Sequence, residues 1–287
     1  ERLESWAPVL FPEKHCFPAG PPPEGSTYDE VVDRVLARAL AVAPRWREER
    51  RWIGEAAERL RKDRRAEAMD GIPDGSLVEA LIRLSHEARF RDPAEMLELA
   101  FLAEFASRHL DPERYSPGQI GDLQIRALAE LANAWRVNEE FDKAEESFSQ
   151  AALLYERRSG DPLVMARVLD LLASLRRTQR RLVEAIDILD TVQGLYEECG
   201  ERHLAGRALI SKGICTHYDG RPREAVRLLR KGISLLDPER DPQLTVSSQE
   251  NLVYSLVDSG KLREARRLLG LAAHLKAALV LVECRRG

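Results

Sequence analysis

A chain of 287 residues is long enough to bury a sizeable core, in one elongated domain or two compact ones. Its 44 Lys and Arg nearly cancel its 48 Asp and Glu, leaving a formal net charge of -4, so no global field draws in nucleic acid. Charged residues make up 32% and aromatics only 6%, with Ala, Leu, Arg and Glu recurring throughout, a composition that favours an all-α chain over a β-sandwich.

In chain order, residues 1–25 carry Pro8, Pro12, Pro18, Pro21, Pro22 and Pro23. Three successive prolines favour extended polyproline backbone and cannot enter a helix, so this stretch reads as an irregular N-terminal arm. Trp6, Phe11 and Phe17 lie within it, and docking on the folded body would shield them from water. Thr27 followed by Glu30 fits a capping box ahead of Val31, Val32, Val35 and Leu36, which opens a helix over about Tyr28 to Ala43 that Pro44 ends or kinks. A second helix, from about Arg45 to Met69, places Trp46, Trp52, Ile53, Ala57 and Leu60 at helical spacing among many charges. Together they form an N-terminal helical segment over 26–72. Turn formers then crowd Asp70 to Gly75, and Ser76 caps the helix that follows. Residues 73–120 read as a degenerate first repeat with Met96 in its small-residue place, and 121–287 as four better ones.

The repeat is the strongest signal. Ala144, Ala185, Ala225 and Ala265 stand in equivalent contexts, separated by 41, 40 and 40 residues. A fixed period of this size is the mark of a solenoid, in which each unit leaves one face unburied until its neighbour stacks on it. Every unit has an apolar-periodic helix, a short turn (Asn138-Glu139-Glu140, Gln179-Arg180, Asp219-Gly220, Ser259-Gly260) and a second helix opening near the shared Ala. The small side chain lets two antiparallel helices approach, and a Leu or Phe there would cost roughly 1–3 kcal/mol as overpacking. The exit Leu110-Asp111-Pro112-Glu113-Arg114 recurs verbatim as Leu236-Asp237-Pro238-Glu239-Arg240.

These units resemble the tetratricopeptide repeat. Leu131, Ala132, Trp135, Phe141, Ala144, Phe148 and Ala151 follow its pattern of large and small residues, and Leu172, Ala173, Leu182, Ala185, Leu189 and Val192 repeat it. Leu252, Leu262, Ala265, Leu269 and Ala272 do so again, while the third unit keeps Gly213, Ala225, Leu229 and Gly232 but has Lys212 where Leu is expected and Pro222 in place of an aromatic. The resemblance implies an all-α, right-handed α-solenoid of antiparallel helix hairpins, of the long-period kind found in bacterial regulators and adaptors. A different class of α-solenoid is the structural rival, because the period exceeds the usual 34 residues.

The resemblance also implies a concave groove lined by the first helix of each hairpin. On that frame Arg126, Arg167 and Arg207 share an early position, Arg136, Arg177 and His217 a late one, and Asn133 and Ser174 fall between. Such a ladder of guanidinium groups suits carboxylate or phosphate partners, since Arg offers a planar fork of donors. The family's acidic-peptide binders clamp a terminal carboxylate with basic residues and an Asn. Asn133 matches that Asn, whereas Ala129 stands where the Lys of the clamp is expected. The bland alternative is that these Arg pair along their own helices with Glu130, Glu139, Glu140 and Asp170 and solvate the surface.

No P-loop, H-E-x-x-H, G-x-S-x-G or G-x-G-x-x-G pattern occurs, so no enzyme and no cofactor are expected. Ser85-His86-Glu87 is no catalytic fragment by adjacency alone, because tertiary geometry makes a triad. Cys16, Cys199, Cys215 and Cys284 lie far apart without a C-x-x-C pair, which reads as reduced thiols in the cytoplasm and no metal site. Some repeat proteins of this kind carry a zinc-binding anti-sigma-like segment ahead of the array, and only His15-Cys16 echoes it. The longest apolar run, Leu268 to Val282, is too short and too interrupted to span a membrane and reads as a last, uncapped helix open to self-association. The expected function is a scaffold or adaptor holding a partner protein or an acidic peptide. The alternatives are a ligand- or peptide-gated regulatory sensor whose N-terminal part is the effector, or a non-catalytic subunit of an enzyme complex. Nucleic acid and membrane are not expected partners.

Overall fold

In a computed structural model, residues 51–60, 62, 74–155, 159–238 and 240–269 are described. The proline-rich arm with His15 and Cys16, the helix expected over 28–43, the remainder of the one expected over 45–69, and the apolar segment beyond Leu269 lie outside these. The described residues are helical and hold no strand: α1 (Gly75–Ala88), α2 (Pro93–Arg108), α3 (Pro117–Val137), α4 (Phe141–Leu153), α5 (Pro162–Thr178), α6 (Leu182–Glu198), α7 (Arg202–Tyr218), α8 (Pro222–Leu235) and α9 (Pro242–Asp258), with further helical stretches at 51–60 and 262–269. They divide into two compact units, the first ending at Gln179 and the second starting at Arg180.

In the first unit α1 packs on α2, α2 on α3 and α3 on α4, while α1, α3 and α5 lie side by side as a row. The starts of these helices are written in their caps. Asp74 accepts from the Ser76 N–H, Asp92 from Ala94 and Glu95, Asp161 from Leu163, and Ser116 with Gln119 closes a full capping box. Stretch 51–60 turns Ile53, Ala57 and Leu60 into the core formed by Leu77, Val78, Leu81, Leu99, Leu102 and Leu123, as its spacing requires. Met96, fully buried, packs with Ala88, Leu131 and Ala134, and Ala144 sits against Phe148 and Leu175.

The second unit packs α6 on α7, α7 on α8 and α8 on α9, with α7 also touching α9. Its tightest approach is between α7 and α8. A Cβ on Gly232 would lie 2.7 Å from Ile210 Cγ1 and 2.8 Å from the Gly206 carbonyl oxygen, and one on Gly213 would lie 2.8 Å from Leu229 Cγ. Lys212, in place of the expected Leu, is accommodated because its ammonium reaches Asp190 on α6 in an ion pair.

Turns recur at the same register in both units. Glu139, Arg180, Gly220 and Gly260 all adopt positive φ, at 63°, 64°, 78° and 81°. At Gly220 the loop closes as a Schellman motif, the Arg221 N–H donating to the Thr216 carbonyl over 3.1 Å. The duplicated exit is a tether in each unit. Arg114 donates to Asp74 at the start of α1 over 3.1 Å, and Arg240 donates to Glu201 at the start of α7 over 3.3 Å.

Candidate functional site

The row α1, α3, α5 gathers most of the residues that sequence points to. At its centre is Glu130 on α3, a buried carboxylate that accepts from Ser85 Oγ at 3.1 Å and from Asn133 Nδ2 at 3.5 Å. His86 Nδ1 lies 3.7 Å from its second oxygen. Asn133 is itself buried and presents Oδ1 to Arg136, which donates from Nη2 at 2.8 Å and from Nε at 3.2 Å. Nη1 of Arg136 crosses to α5 and donates to Thr178 Oγ1 at 3.4 Å.

Two further guanidinium groups act on Arg136 here. Burial pulls Arg136 down to about 10, Arg177 pushes the same way, Glu130 opposes, and Arg89 adds to the lowering. Arg136 stays charged at neutral pH, and its charge is held close to two others of the same sign. Arg89 donates to the His86 carbonyl at 2.6 Å and lies over the ring of the exposed Phe90. Among the described residues, the Arg177 guanidinium makes no hydrogen bond and no ion pair.

The other sequence-predicted positions part company with this cluster. Arg126 is half-buried in an ion pair with Glu79 of α1, a partner 47 residues away. Ser174 is spent inside α5, its hydroxyl donating to the Asp170 carbonyl at 3.1 Å, and Arg167 is half-buried on the same helix. Arg207 and His217 belong to the second unit. Arg207 acts on His203, and His217 bridges α7 to α9, with Nδ1 3.1 Å from Ser255 Oγ and Nε2 3.4 Å from Asp258. Ser255 is fully buried, and this Ser, His and Asp constellation clips α9 to α7. Ser85 is equally buried and donates to the Met96 carbonyl at 3.0 Å.

Sequence reasoning missed Glu79, Arg89, Thr178 and the central place of Glu130. Only Glu130 carried a signal, an acid at an apolar register of α3 between Ala129 and Leu131; the others depend on which helices become neighbours. Among the described residues no group of three His, Cys, Asp or Glu could hold a metal ion, and no helix is long and apolar enough to cross a membrane.

Adjacent helix pairs of forty-residue period, small residues at the hairpin contacts and αL turns at constant register define a tetratricopeptide-type helical-repeat fold. The crystal structure of BtubC (BKLC) from P. vanneervenii is similar, with a TM-score of 0.55 over 88% of this chain and 93% of that one at 17% identity. Two structures of a Podosopora anserina protein described as a putative kinesin light chain with nearly identical TPR-like repeats, one of them a point variant, each give a TM-score of 0.49 at 18% identity, covering 73% and 74% of this chain and 98% of theirs. No protein-family model matches the chain, and no curated protein matches its sequence.

Proposed function

We propose that this protein is a non-catalytic interaction scaffold whose row α1, α3, α5 captures an acidic segment of a partner protein. The observation that carries this is the closeness of Arg177 and Arg89 to Arg136, whose side chain rests on Asn133 beside the buried Glu130, with Arg177 unmatched by any acceptor among the described residues. Like charges held together are destabilising until an anion joins them, and a guanidinium with idle N–H groups is a ready-made receptor for one. The helical-repeat fold supports the same reading, since stacked hairpins offer extended surfaces on which a partner segment can lie.

The test uses a blocked, Glu- and Asp-rich fluorescent peptide titrated with the full chain. Wild type should bind it in a salt-sensitive manner, and Arg177→Glu should weaken binding at least tenfold. Equal affinity of wild type and variant would remove the row as the binding face.

A further inference from the structure

Resting on that reading, we propose that Arg136 and Arg177, at the C-terminal ends of α3 and α5, form a receptor for a phosphomonoester, carried on a phosphorylated side chain of the captured segment.

The argument begins with donors. A guanidinium carries five N–H groups, and three of those on Arg136 are taken by Asn133 and Thr178. Two remain, and Arg177 adds its own set. Asn133, anchored on buried Glu130, fixes the rotamer of Arg136, so this fork is pre-organised. The bond from Arg136 to Thr178 brings the side chain against the last turn of α5, where Arg177 stands next to Thr178.

Charge and shape then select the ligand. Among the described residues, the charges that act on Arg136 are two cations, Arg177 and Arg89, and one anion, Glu130. The fractional negative charge of two helix ends offsets part of the excess and leaves the cluster cationic. A carboxylate is planar, brings a single charge and is satisfied by one fork. A phosphoryl group carries about -1.5 to -2 charges at neutral pH and presents three acceptor oxygens in a tetrahedral array, so two forks on separate helices can share it. Two guanidinium groups in the last turns of neighbouring helices suit the second ligand.

The experiment compares three probes on the full chain at pH 7.5: a blocked pentapeptide Ala-Ala-phosphoserine-Ala-Ala, the same peptide with Glu at its centre, and dimethyl phosphate. Binding is followed by NMR of the arginine Nε–Hε signals. The phosphopeptide should bind at least tenfold more tightly than the Glu peptide and shift the signals of both Arg136 and Arg177. Arg177→Gln should abolish the preference, and Arg177→Lys, which keeps the charge without the fork, should lose most of it. Arg230→Gln, which alters an exposed ion pair with Glu264 in the second unit, should leave it unchanged. Equal binding of the two peptides, both weakened by Arg177→Gln, overturns the phosphate selectivity and leaves the acidic-segment reading standing. Dimethyl phosphate binding as tightly as the phosphopeptide overturns the proposal in favour of a diester backbone. If no probe binds, this proposal falls, and the Glu- and Asp-rich peptide above decides whether the broader reading falls with it.

Discussion

His203 Nδ1 accepts a 3.0 Å hydrogen bond from the backbone N–H of Asp237, 34 residues further along the chain. The bond fixes the tautomer with its proton on Nε2, and it joins the start of α7 to the exit of α8. Burial lowers the imidazole to about 4, with Arg240 and Arg207 adding to the lowering and Asp241 and Asp237 opposing it. The ring is therefore neutral in the folded protein, whereas an unfolded chain has a His near 6.5.

The sign of the pH dependence follows from this. Below about pH 6.5 the unfolded state binds the proton that the folded state refuses, so stability falls as pH drops towards 4 and is unaffected above 7. Protonated Nδ1 would also set a donor against the Asp237 N–H. Urea unfolding at pH 7 and pH 4.5 should show wild type losing on the order of 2 kcal/mol more than His203→Gln. Parallel losses in both proteins would show that this imidazole is not the sensor.

Close packing of α7 and α8 makes a second prediction. Gly232→Ala must displace either Ile210 or the Gly206 backbone, and overpacking of this kind costs about 1–3 kcal/mol even after the helix-propensity gain. Gly194→Ala on α6 is its control, because a Cβ there meets nothing within 4 Å. It should be stabilising by about 0.5–1 kcal/mol in the same denaturation assay.

The left-handed turns give a third. Gly220 has φ of 78°, and Gly220→Ala should destabilise by about 1 kcal/mol because a Cβ disfavours that conformation. Glu139→Gly should be close to neutral or mildly stabilising, since strain relief at φ 63° offsets the added freedom of the unfolded chain. Thermal unfolding of the two variants reads both signs.

Glu130 supplies a fourth. Glu130→Gln removes the one carboxylate among the described residues whose charge acts on Arg136 and weakens an anchored network, so stability should drop by roughly 1–3 kcal/mol. Affinity for the acidic peptide should rise several-fold in the same variant, because the internal competitor for the guanidinium groups is gone. A fall in affinity by the factor seen for Arg177→Glu would mean that Glu130 serves only to hold the row together.

How much of this was readable from residues alone depended on the range of the interaction. Ala144, Ala185, Ala225 and Ala265 announced the hairpin contacts because the requirement for a small side chain is local and periodic. Turn positions were equally plain where Gly marked them, and also at Glu139 and Arg180, where only the register did. The register put Arg136 and Arg177 in the last turns of their helices, yet their chemistry was not legible. Arg136 turned out to rest on Asn133 and Thr178, and Arg126 to spend its charge on Glu79 across a 47-residue gap. A pattern within one helix says which side chains point the same way, and it carries no information about the acid or hydroxyl that a neighbouring helix brings. Lys212 illustrates the converse, since a charge that looked wrong for its place is answered by Asp190 on α6.

The twin tethers of Arg114 to Asp74 and of Arg240 to Glu201 bear on how the molecule comes apart. Each clasps the entrance of a hairpin to the peptide that leaves it, so the start of the first helix and the exit of the second share a contact across 39 or 40 residues. Amide exchange should therefore proceed in blocks of that length, whole hairpins opening at once instead of ends melting residue by residue.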